Sequence, residues 1–120
     1  MLNIGMIVLG AADVRRAAAF WSRALRYVTR ESESKDDWIV LEPADGPGTA
    51  LALDLSRTPL QEHPRVHIDL HTEDQSAEVE RLLSLGAERV DWDLYPDDPD
   101  FVVLADTEGN RFCVIDLNHG

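Results

Sequence analysis

The stretch Arg65 to His71 reads RVHIDLH and alternates with period two. A β-strand sends successive side chains to opposite faces, so His67, Asp69 and His71 share one face and Val66, Ile68 and Leu70 the other. In such a row His67 or His71 can pair with Asp69. Pairing with a carboxylate raises imidazole basicity and supports acid–base work, which makes His67 and Asp69 the candidate catalytic residues. His71 reads instead as a polar residue turned to water or to a partner chain. Cys113 is the single cysteine. No basic motif stands beside it to favour a thiolate, so it reads as a buried, inert thiol.

The elements that must position these residues form a repeat. The apolar run Asn3 to Leu9 predicts a strand, and Asp13 an N-cap for a helix from Val14 to Leu25. The apolar residues Val14, Ala17, Ala18, Trp21 and Leu25 recur at helical spacing, and Trp21 is expected in the core. Strands are expected at Tyr27–Arg30, Trp38–Leu41 and Thr49–Leu55, with the PADGPG turn at 43–48 before the last. The second half repeats this order. It has a strand at Val66–His71, a helix at Glu73–Leu85 closed by Gly86, and strands at Glu88–Trp92, Phe101–Leu104 and Arg111–Leu117. The expected organisation is a single domain, 1–120, with a first module at 1–56, a linker at 57–64 and a second module at 65–120. The fold class is α+β, two βαβββ modules forming a curved mixed sheet.

Composition narrows the function classes. A hydrophobic content of 44% is enough for a packed core, and the net charge is −12. That balance speaks against phosphate neutralisation and hence against nucleic acid; it suits a soluble surface or a cationic small molecule. One cysteine permits no internal disulfide, and the apolar start lacks the basic flank of a signal segment. No run reaches the length of a membrane span, so a cytoplasmic protein is expected. The acidic stretch 91–100 (DWDLYPDDPD) lacks the glycine and closing glutamate of an EF-hand loop. Phosphate-cradling glycine motifs, nucleophile elbows and zinc-finger spacings are absent.

Asp106 to Val114 (DTEGNRFCV) resembles the D-P-E-G-N-x-F-x-V hairpin of the glyoxalase/bleomycin-resistance, or vicinal oxygen chelate, proteins. Ala19 to Leu25 (AFWSRAL) resembles their first-helix signature, and Val66 to Leu70 (VHIDL) their fifth strand. The Glu-Gly-Asn turn has its own reason, since Gly109 and Asn110 tolerate the positive φ of a tight hairpin.

The resemblance implies a cavity on a concave sheet and, in metal-using members, four His or Glu ligands on strands one, four, five and eight. Here those positions fall on Met6, Leu51, His67 and Cys113. Hard cations want carboxylate and imidazole, and only a soft ion such as copper(I) suits Met6, His67 and Cys113. The resemblance therefore implies no metal and no cofactor. It also implies a homodimer and a ligand-binding wall of Met6, Trp38, Leu51, Leu53, His67, Trp92, Tyr95 and Cys113. Two functions follow from it. One is metal-independent binding of a small organic molecule, as in bleomycin resistance. The other is a metal-independent isomerase, lyase or cyclase using His67.

Overall fold

A computed structural model describes residues 1–120. The chain divides into two compact units, Met1–Pro59 and Leu60–Gly120. Unit 1 contains β1 (Met6–Ala11), α1 (Val14–Leu25), β2 (Tyr27–Thr29), a 3-10 turn (Glu31–Glu33), β3 (Trp38–Pro43) and β4 (Ala50–Leu55). Unit 2 contains β5 (Asp69–Thr72), α2 (Gln75–Ser84), β6 (Glu88–Arg89), β7 (Phe101–Ala105) and β8 (Arg111–Asp116). Each unit has its own four-stranded mixed sheet, in the orders β1-β4-β3-β2 and β5-β8-β7-β6. In both, the first strand runs parallel to the last and the other pairs are antiparallel. No helix is long and apolar enough to cross a membrane.

Both helices start where a carboxylate can satisfy free backbone donors. Asp13 Oδ1 accepts from the Arg16 N–H at 3.1 Å, and Asp74 Oδ1 from the Ala77 N–H at 3.2 Å. α1 buries Val14, Ala17, Ala18, Phe20, Trp21 and Ala24. Trp21 and Phe112 are among the largest fully buried side chains. Each such burial stabilises its unit by roughly 1.5–3 kcal/mol. The helices end differently. Gly86 takes φ 117 just beyond α2, whereas the α1 cap is Arg26, held at φ 57.

Strand bounds differ from the sequence expectation where the chain runs out of partners. β5 begins at Asp69 rather than Val66, which is 82% exposed. Pro64 cannot donate to a ladder, and before Asp69 only the Ile68 carbonyl is held, accepting from the Cys113 N–H at 2.9 Å. β6 stops at Arg89, so Trp92 lies beyond it. In the hairpin after β7, only Gly109 takes a positive φ, at 88°. Asn110 does not. The Asp106 carboxylate instead accepts from the backbone N–H groups of Glu108 and Asn110, each at 2.9 Å, and ties the turn shut.

Candidate functional site

The unit-2 sheet positions the site. Asp69 lies opposite Cys113 in the parallel β5–β8 ladder, and Cys113 lies opposite Val103 in the antiparallel β7–β8 ladder. Period-two alternation then brings His67, Asp69 and His71, then Arg111, Cys113 and Ile115, then Phe101 and Val103, to one side of the sheet. These residues line a cavity of about 400 Å³, completed by Pro64, Trp92 and Leu94. Most of the wall is apolar or aromatic, with a few polar groups, which is the pattern of small-molecule sites.

At its centre, His67 Nδ1 meets Asp69 Oδ1 at 2.8 Å, with the two side chains 46% and 43% exposed. Cys113 is 7% exposed, and its sulfur lies within 4.8 Å of the same carboxylate. Burial first, and the Asp69 charge and hydrogen bond second, push the thiol pKa up to about 11. Here the carboxylate stands between imidazole and thiol, whereas in a cysteine nucleophile relay the imidazole stands beside the thiol and takes its proton. Cys113 is thereby kept protonated, while Asp69 is placed to fix the orientation of His67.

Arg111 is the guanidinium of the wall. Its Nη1 donates to the Gly109 carbonyl at 2.7 Å, and its buried Nε has no hydrogen-bond partner. Arg111, Phe101, Val103 and Ile115 were absent from the expected wall. Alternation along β8 carried the signal for two of them, since Arg111 and Ile115 flank Cys113 at two-residue steps.

The remaining expected residues divide. Trp92 lines the cavity and stacks on His63, with ring centroids 5.0 Å apart. Tyr95 is not part of the cavity wall. Its hydroxyl accepts from the Val103 N–H at 2.8 Å, and its ring packs on Phe101 at 5.2 Å. Met6 and Trp38 pack in unit 1 against Val40, Ala50 and Ala52. Leu51 and Leu53, expected to line a pocket, are 3% and 0% exposed. They stand opposite Leu41 and Ile39 on the other face of the sheet, and Ile39 lines a cavity together with Ala18 and Ala19 of α1. Both are core residues, and their assignment as ligand contacts is corrected.

The same register corrects the fourth-strand position. Trp38 faces Asp54 as Phe101 faces Ile115, and Val40 faces Ala52 as Val103 faces Cys113. The counterpart of Cys113 is therefore Ala52, not Leu51, and a one-residue slip exchanges faces. Likewise Val8 faces Ala52 as Asp69 faces Cys113, which makes Met6 the counterpart of His67. A second, more open cavity of about 470 Å³ lies in unit 1 beside Arg15, Ser22 and Lys35, and includes none of the expected site residues.

The glyoxalase-like domain family matches residues 6–115. This chain belongs to that family. Solved structures agree on the fold. A glyoxalase/bleomycin resistance protein/dioxygenase family enzyme from Burkholderia phytofirmans is 12% identical with a TM-score of 0.73, over 97% of this chain and 99% of its own. A gene product from Arabidopsis thaliana is 19% identical with a TM-score of 0.70, over 97% and 98%. A variant of the fosfomycin resistance protein FosX from Listeria monocytogenes, complexed with manganese(II) and 1S,2S-dihydroxypropylphosphonic acid, is 18% identical with a TM-score of 0.73, over 96% and 90%. No curated protein matches this chain. The glyoxalase-like chain thus has the fold of the vicinal oxygen chelate superfamily. The four positions that the resemblance assigns to ligands of metal-using members carry, with the fourth-strand register corrected, Met6, Ala52, His67 and Cys113, a thioether, a methyl group, an imidazole and a thiol. That set does not fit a hard cation, which requires oxygen donors.

Proposed function

We infer that this glyoxalase-like protein binds a small organic molecule in the unit-2 cavity. The observation that carries the reading is the paired His67 and Asp69 set in a mostly apolar and aromatic wall. Phe101, Val103 and Ile115 offer a surface for an apolar body, and His67, His71, Asp100 and Arg111 offer hydrogen bonds to a polar end. Both signs of charge line the wall, which favours such a molecule over a simple cation. Sequestration of a drug or metabolite is the corresponding role, and homodimerisation belongs to it through the family alone.

The test is ligand-observed NMR with bleomycin, fosfomycin and a panel of small molecules carrying an apolar body and a polar end. Saturable binding lost in both Trp92→Ala and Phe101→Ala supports the reading. Binding unaffected by either variant overturns it.

A second reading has its own observation. With Nδ1 held by Asp69, His67 in its neutral form keeps the Nε2 lone pair available as a general base. Turnover of a bound compound that is abolished in His67→Ala and reduced in Asp69→Asn identifies an enzyme. Binding retained in His67→Ala without turnover in the unmodified protein identifies a binder.

A further inference from the structure

We propose that the open cavity of unit 1 binds a small zwitterion of the amino-carboxylate class between Glu31 and Lys35. The cavity measures about 470 Å³, and Ala18 and Ala19 of α1 with Ile39 of β3 give it an apolar part. Successive residues of a strand face opposite ways, so Ile39 and Val40 lie on different sides of the sheet. The cavity is therefore on the helix side, away from the Val40–Ala52 pair that matches Val103 and Cys113 of unit 2.

The charges around this cavity pair off and leave two. The Arg15 guanidinium holds the Asp36 carboxylate. Arg30 donates from Nε to Glu42 at 2.7 Å and from Nη1 to Glu33 at 3.3 Å. Glu31 and Lys35 both line the cavity, and no side-chain hydrogen bond or ion pair engages either one. Lys35 is also the only lysine of the chain.

The backbone that carries these two side chains is pinned. Glu31 opens the 3-10 turn, and the Ser34 hydroxyl donates to the Arg30 carbonyl at 2.9 Å. The same hydroxyl accepts from the Val40 N–H at 3.1 Å. The Lys35 N–H then donates to the Trp38 carbonyl at 2.6 Å and ties the far end of the loop to β3. A held backbone limits the separation of the carboxylate and the ammonium, which lowers the ordering cost of a ligand that spans them.

Both residues are exposed, and a single exposed ion pair gains little against water. A molecule with one charge therefore has little to gain here. One that carries an ammonium for Glu31 and a carboxylate for Lys35 makes the second contact at high effective concentration. The net charge of −12 also repels an anion at long range, whereas a zwitterion approaches as a neutral body. The site lies wholly in unit 1 and stands independently of the unit-2 ligand reading.

The experiment titrates the nitrogen-15-labelled full chain with glycine, 3-aminopropanoate, 4-aminobutanoate and 6-aminohexanoate, with acetate and methylammonium as one-ended controls. The expected result is saturable amide shifts centred on Glu31 and Lys35 for at least one member of the series. That member should bind at least about tenfold more tightly than either control. Lys35→Met and Glu31→Gln, at exposed positions, should each remove this advantage. Asp37→Asn, a neighbouring exposed acid, should leave binding unchanged. Glu31→Lys should turn the preference to the dicarboxylate of matching length, which loss of folding cannot imitate. The proposal is overturned if no member saturates, or if acetate binds as tightly as the best one. Binding that survives Glu31→Gln, or shifts that centre on His67 and Trp92 instead, overturns it as well.

Discussion

The phenol oxygen of Tyr95 accepts a hydrogen bond from the backbone N–H of Val103 at 2.8 Å. Cys113, opposite Val103, turns its own N–H toward β5 and the Ile68 carbonyl. This makes Val103 and Cys113 a non-hydrogen-bonded pair, and the Val103 N–H points away from β8. β6 ends at Arg89, paired with Leu104, so no strand reaches the Val103 donor. The Tyr95 side chain supplies the missing acceptor. Tyr95→Phe should leave a buried N–H unpaired and cost about 1–3 kcal/mol. Hydrogen exchange should accelerate at Val103 in the variant, and equal exchange would refute the role.

Leu53 belongs to the core under α1. Leu53→Ala should destabilise the protein by about 2–5 kcal/mol, through lost burial and the cavity left behind. Urea unfolding measures the change. A loss below about 1 kcal/mol would return Leu53 to an accessible wall.

The exposed His63–Asp93 pair predicts a pH dependence. The His63 hydrogen bond, followed by a backbone hydrogen bond, lowers the Asp93 pKa from its ordinary 3.8. A depressed carboxylate pKa contributes stability that is present above 3.8 and lost as pH falls through the lower folded value. NMR titration of the Asp93 carboxyl should give a midpoint below 3.8 that rises in His63→Ala.

Cys113 should ionise near pH 11 rather than at the ordinary 9.0. Its raised pKa contributes stability that is complete below 9.0 and lost as pH rises toward 11. Iodoacetamide should modify it slowly at neutral pH. Asp69→Asn removes the charge but not the burial, so the midpoint should fall while staying above 9.0. Thiolate absorbance reads it directly, and a midpoint at or below 9.0 in the unmodified protein contradicts the buried, carboxylate-bonded thiol.

Much of this was legible in the residues. The shared face of His67 and Asp69 followed from alternation in RVHIDLH, because polar and apolar residues mark the two faces differently. The cap at Asp13 and the order of elements in each half were equally readable, whereas the second helix, expected from Glu73, starts at Gln75 with Asp74 as its cap. β4 was not. Its ALALDL run is apolar on both faces for four residues, so nothing local distinguishes the Ala50–Ala52 face from the Leu51–Leu53 face. Only the ladder with β3 decides. Tyr95 was misplaced because its position is set by an acceptor role for β7, and sequence spacing carries no trace of that bond.

The matching ladders of the two units have a practical consequence. Met6, Val8 and Ala52 occupy the frame positions held by His67, Asp69 and Cys113. The chain therefore contains a second copy of that frame without the three polar side chains, built on the same strand order. Copying the three side chains onto that frame by Met6→His, Val8→Asp and Ala52→Cys asks whether backbone and donors alone suffice. Any property the graft fails to reproduce must then come from Trp92, Leu94 and the rest of the unit-2 surroundings.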